Sequence, residues 1–99
     1  MDIKIHSLRF DADVKLLDFI ETKVGKLDQF YDNIIAAEVT LRLDKSVTSD
    51  NKVADIKVQV PGTDLYSKKQ AKSFEEATDL ATEALRRQLK KTKDKQRKK

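Results

Sequence analysis

Four basic residues near the end of the chain, Arg86, Lys90, Lys93 and Arg97, recur at steps of four, three and four. On a helix such steps stack side chains one turn apart, along a stripe read here as roughly opposite the apolar face. Cations at that spacing can reach successive phosphates, and backbone contact supplies affinity without reading sequence. Lys15, Lys23 and Lys26, interrupted by Phe19, form a second basic row nearer the start. The plainer reading of either row is a solvated helix edge, with Phe19 turned into the core.

Other chemistry is scarce. One His, no Cys and two Gly leave no nucleophile–base pair and no glycine-rich phosphate loop. Zinc-ligand spacing is absent, and Asp44 to Asp55 lacks the calcium-loop pattern. His6 is expected on a sheet surface, and Glu75-Glu76 at a helix start, where structure alone explains it. No catalytic residue, metal, cofactor or small-molecule substrate is therefore expected, and the chain is not read as an enzyme.

Charge is sorted along the chain. From Ala84 to Lys99 nine Lys/Arg face one acid, Asp94, whereas the preceding residues carry more acids than bases. The overall +4 comes from a basic tail outweighing an acidic body. Dipole compensation needs only two or three cations, so the surplus points to a solvated tail or a polyanion contact. Ninety-nine residues make one domain over 1–99, with a basic tail at 91–99 expected to fray because no apolar residue follows Leu89. No apolar run approaches the roughly 20 residues needed to cross a bilayer. The N-terminus lacks a signal-peptide core, and the absence of cysteine suits a reducing compartment, so a cytoplasmic monomer is expected.

The elements that must position these rows are legible from periodicity. Ile3 and Ile5 alternate with Lys4 and His6 as a short strand. Asp13 suits an N-cap for a helix whose apolar stripe is Leu17, Ile20, Val24 and Leu27, and Gly25 suggests close approach of another backbone. Phe30-Tyr31-Asp32-Asn33 ends that helix. Strict alternation over Ala37–Asp44 and again over Ala54–Val60 predicts two half-buried strands, joined by a polar hairpin loop at Lys45–Asn51. After the Pro61-Gly62 turn, Leu65–Ala71 reads as a polar edge strand. Ser73 and Glu76 form a capping box for the last helix. Its apolar face is read as Phe74, Ala77, Ala81, Ala84, Leu85 and Gln88, flanked by Leu80 and Leu89.

The order β-α-β-β-β-α predicts an α+β fold: a four-stranded sheet with two helices packed on one face, the first strand parallel to the second. Three antiparallel strands and a basic helix are similar in outline to double-stranded-RNA-binding domains, which read A-form shape. A generic duplex-RNA-binding module is thus one open reading. A protein-interaction domain using the sheet edge near Tyr66 to Lys72 is another.

Two segments carry a more specific resemblance. Lys23-Val24-Gly25-Lys26-Leu27-Asp28-Gln29-Phe30-Tyr31-Asp32 resembles the K-x-x-K-L-x-x-[FY]-[FY]-D run of ribosome hibernation-promoting factors and ribosome-associated inhibitor A. Ala84 to Lys95 resembles that family's second helix, L-x-R-Q-L-x-K-x-K-x-K. The resemblance implies a translation inhibitor that binds ribosomal RNA of the small subunit, in the channel shared by mRNA and tRNA, and preserves idle ribosomes. It implies RNA contacts at Lys23, Lys26, Arg86, Arg87, Lys90, Lys91, Lys93 and Lys95. Asp79 and Ala77 match the family's A-I-D segment, whereas Thr78 departs from its aliphatic and Glu75 from a common Tyr. A chain stopping after the basic helix is expected to be the short form, unable to pair ribosomes by itself.

Overall fold

The computed structural model describes residues 1–97. Its order is β1 (Asp2–Ser7), α1 (Val14–Gly25), a 3-10 helix (Lys26–Gln29), β2 (Ala36–Leu43), β3 (Lys52–Val60), β4 (Thr63–Ala71) and α2 (Phe74–Arg97). The predicted α+β fold holds. One sheet runs β1-β2-β3-β4, with β1 parallel to β2 and the other neighbours antiparallel. The parallel pair follows from the α1 crossover, and the antiparallel pairs from short connections.

Register carries the alternation across the sheet. Ile5 lies beside Val39, Val39 beside Ile56 and Val58 beside Leu65, so one face is apolar. Both helices cover that face. Ile20, Val24, Val39, Leu41, Ile56, Leu85 and Leu89 are fully buried in one core. Each such side chain contributes about 1.5–3 kcal/mol relative to exposure. On the opposite face Tyr66 Oη donates to Asp55 Oδ1 at 3.0 Å, and Arg42 pairs with Asp55 at 3.6 Å. His6 sits there too, 3.6 Å from Glu38. Val53 shares this polar face yet is buried; beside it Gln70 Nε2 donates to Asp44 Oδ2 and to the Asp50 carbonyl, tying down the hairpin loop.

Several helix details differ from the sequence reading. The Asp13 cap forms, accepting from Leu16 N–H at 2.8 Å. The buried stripe begins at Leu16 rather than Leu17, because Leu16, Ile20 and Val24 repeat every four residues. α1 tightens into the 3-10 helix after Gly25, and an added Cβ at Gly25 would meet nothing within 4 Å. The close approach expected there is absent. Glu76 N–H donates to Ser73 Oγ at 3.1 Å, while the return bond from Ser73 N–H to the Glu76 carboxylate does not form among the described residues. Phe74 then stacks on Phe10, ring centroids 4.9 Å apart, fixing the start of α2 against the β1–α1 connection.

α2 also sits at a different rotation. Ala77, Thr78, Ala81, Thr82, Leu85 and Leu89 are buried, whereas Leu80 is exposed. Thr82 Oγ1 donates to the Asp79 carbonyl at 3.0 Å. Thr78 Oγ1 is buried with no hydrogen-bond partner among the described residues. An unmade buried hydrogen bond costs about 1–3 kcal/mol, and Val matches Thr in shape and helix propensity. Thr78→Val is therefore expected to raise stability by about 1 kcal/mol, read as an increased thermal midpoint; a lower midpoint would mean that the hydroxyl has a partner.

Candidate nucleic-acid interface

α2 is 24 residues long, so it spans about 36 Å at 1.5 Å per residue. Leu89 is its last buried residue among those described, and the basic end runs on past it. Acids occupy the opposite end, with Glu75 and Glu76 in the first turn. That order suits the helix dipole and places the surplus positive charge at one end of the molecule.

The eight residues expected to touch RNA fall into two groups. Lys23 and Arg86 are already engaged. Lys23 Nζ lies 2.9 Å from Asp79 Oδ1, linking α1 to α2, and 5.6 Å from the Phe19 ring centroid. Phe19 is thus a half-buried rest for a cation as well as a core neighbour. Arg86 Nε donates to Glu83 Oε2 at 3.3 Å, and its second nitrogen reaches Glu83 Oε1. Hydrogen bonding from Arg86 holds the Glu83 carboxyl below its ordinary value and the guanidinium above its own. The Glu83 carboxylate should therefore stay charged to a lower pH than an unpaired glutamate.

Lys26, Arg87, Lys90, Lys91, Lys93 and Lys95 form no ion pair with another side chain among the described residues. Lys26 is exposed on the 3-10 helix, and the other five lie on the last turns of α2. The stripe begun by Arg86 and Lys90 flanks the buried face rather than opposing it. Both cations lie over the Phe30 ring, with Arg86 Cζ at 5.6 Å and Lys90 Nζ at 6.0 Å from its centroid. One residue is about 100° of helix, so positions following Leu85 and Leu89 must border the core. The side chain of Arg97, and Lys98 and Lys99 at the end of the expected basic tail, lie outside the described residues.

Phe30 is the residue that sequence reasoning missed. It was read as part of a helix stop and of the family-like segment, with no contact role, yet it joins the 3-10 segment to the basic end of α2. A cleft of about 250 Å³ opens there, lined by Gln29, Phe30, Lys90, Lys93 and Asp94. The signal available was an aromatic four residues after Lys26, inside a lysine-bearing run. At the sheet edge, Gln88 Nε2 donates to the Tyr66 carbonyl at 3.0 Å, so α2 occupies part of the β4 edge. Among the described residues no cluster of His, Cys, Asp and Glu could hold a metal ion. No described helix is long and apolar enough to cross a membrane.

Residues 3–97 match the family model described as Sigma 54 modulation protein / S30EA ribosomal protein. The chain is 31% identical over 97 residues to the ribosome hibernation promotion factor of Bacillus subtilis (strain 168), covering 96% of this chain and 50% of that protein. It thus spans about half the length of that relative. It is 30% identical over 95 residues to the ribosome hibernation promoting factor of Klebsiella oxytoca, covering 96% of each. The crystal structure of the Thermus thermophilus Protein Y N-terminal domain superposes with a TM-score of 0.81 at 26% identity, covering 93% of this chain and 99% of that one. A ribosomal subunit interface protein from Coxiella burnetii shares the fold, with a TM-score of 0.85 at 22% identity over 95% of this chain and 99% of that one.

Proposed function

The chain belongs to the Sigma 54 modulation protein / S30EA ribosomal protein family, and from that premise we propose that it is a ribosome hibernation factor. In this reading it is a single cytoplasmic domain that docks on ribosomal RNA of the small subunit. It occupies the channel shared by mRNA and tRNA, blocks decoding and preserves idle ribosomes. One observation carries the reading: Arg87, Lys90, Lys91, Lys93 and Lys95 crowd the end of one helix with no acidic partner among the described residues.

The mechanism is electrostatic occupancy. The sheet and the buried helix faces make a rigid body, and the unpaired cations displace counterions from RNA phosphates. Lys26 adds a contact from the 3-10 helix. Lys23 and Arg86 act first on the protein itself, tying α1 to α2 and Arg86 to Glu83. The acids at the start of α2 repel RNA there and so favour one docking direction. Gln88 on the β4 edge speaks against strand addition at Tyr66 to Lys72, the main alternative surface.

Co-sedimentation with separated ribosomal subunits over a salt series tests the proposal. The expected result is binding to the small subunit that weakens with salt and survives excess duplex RNA. Loss to the duplex competitor would identify a generic RNA-binding module instead. Binding to neither subunit would overturn the reading.

A further inference from the structure

The cleft beneath the basic end of α2 differs in kind from the rest of that surface. Phe30, half-buried, supplies an aromatic wall, and Gln29 an exposed amide that can donate and accept. Asp94, the one acid from Ala84 to Lys99, lines the same cleft. A carboxylate is out of place in a site built only for phosphate, since it repels one. It is in place beside a nucleobase, whose exocyclic amine it can accept from. The cleft holds about 250 Å³, room for one flat base and not for a duplex.

Arg86 touches the same ring from outside the cleft lining. Its charge is balanced by Glu83, and its guanidinium lies over the Phe30 ring, Cζ 5.6 Å from the centroid. A guanidinium held in this way is not free to grip phosphate, whereas the aromatic ring is a surface on which unpaired RNA bases stack. Lys90 and Lys93, at the rim, have no ion-pair partner among the described residues and can take the flanking phosphates.

We propose that this cleft is a subsite for one unpaired RNA nucleotide, its base packed against Phe30 and its edge read by Gln29 and Asp94. The inference rests on the RNA-binding reading above and adds what that reading lacks, a source of selectivity. A bulged or looped nucleotide enters without breaking a base pair, whereas a paired one must first be flipped from its stack. Unpaired bases are then preferred over the uniform backbone of a duplex.

The test uses two RNAs of equal length, a blunt duplex and a hairpin carrying 2-aminopurine in its loop, titrated at low salt. The hairpin is expected to bind about tenfold more tightly, the scale of one base–aromatic stack, with its fluorescence quenched. Phe30→Leu should abolish both the preference and the quench while duplex affinity stays within about twofold; Phe30→Tyr should retain both. Gln29→Ala with Asp94→Ala alters only exposed side chains and should lower the hairpin-to-duplex ratio at least about threefold, even if Phe30→Leu fails to fold. Equal affinities for the two RNAs, or a quench that survives Phe30→Leu, would overturn the subsite. If small subunits still co-sediment in that case, the proposed function stands; if they do not, the broader reading has failed.

Discussion

Replacing Lys90, Lys91, Lys93 and Lys95 together with glutamine is expected to weaken binding to small ribosomal subunits about a thousandfold near 0.1 M salt. Each phosphate neutralised contributes about 0.7–0.9 to the log–log salt slope. Loss of four contacts should therefore flatten the slope by about three. Wild type and variant should converge as salt approaches 1 M, because the lost term is counterion release and not packing. None of the four is buried, so the thermal midpoint should hardly move. Arg86→Gln provides the contrast: its charge is balanced by Glu83, so its effect on the slope should be well under that of Lys90→Gln. A quadruple variant with an unchanged slope would remove α2 from the interface.

That contrast separates residues that look alike in the sequence. Arg86 and Lys90 both belong to the basic stripe, and both look like phosphate contacts from spacing alone. The Glu83–Arg86 pair, three residues apart on one helix, was open to sequence reasoning. Lys23–Asp79 was not, since it joins α1 to α2 across 56 positions and depends on how the helices pack. Sequence periodicity locates a row of charge. Only tertiary contacts decide which members of the row are still available to a ligand.

The sheet was legible for a simple reason. Through most of β2 and β3 side-chain type alternates with the pleat, so composition and geometry agree; Val53, buried on the polar face, and Leu43, exposed at the end of β2, are the departures. On α2 they disagree. Leu80 was placed at the flank of the apolar face by type and Thr78 and Thr82 were left out, yet rotation buries the threonines and exposes Leu80. The same rotation moves the Arg86–Lys90 stripe beside the core and over Phe30. Phe30 was hidden because its role depends on α2 lying across the end of the 3-10 helix, more than fifty residues away in sequence.

Leu89 links the core to the interface, and Leu89→Ala should therefore separate stability from charge. Leu89 is fully buried, and no apolar residue follows it on α2. Truncating a buried leucine costs about 2–5 kcal/mol through lost transfer energy and the cavity left behind. In a 99-residue domain each kcal/mol shifts the midpoint by about 4–8 °C, so a drop of more than about 10 °C is expected. The cations beyond Leu89 remain in the sequence, so the salt slope for RNA should stay close to wild type. Affinity should fall by the smaller factor needed to re-form the unanchored last turns on the RNA. This is the reverse of the quadruple lysine variant, in which slope collapses and stability holds. A Leu89→Ala protein as stable as wild type would mean that the helix end is not seated in the core. One whose slope flattens like the lysine variant would mean that seating, and not charge alone, presents the cations to phosphate.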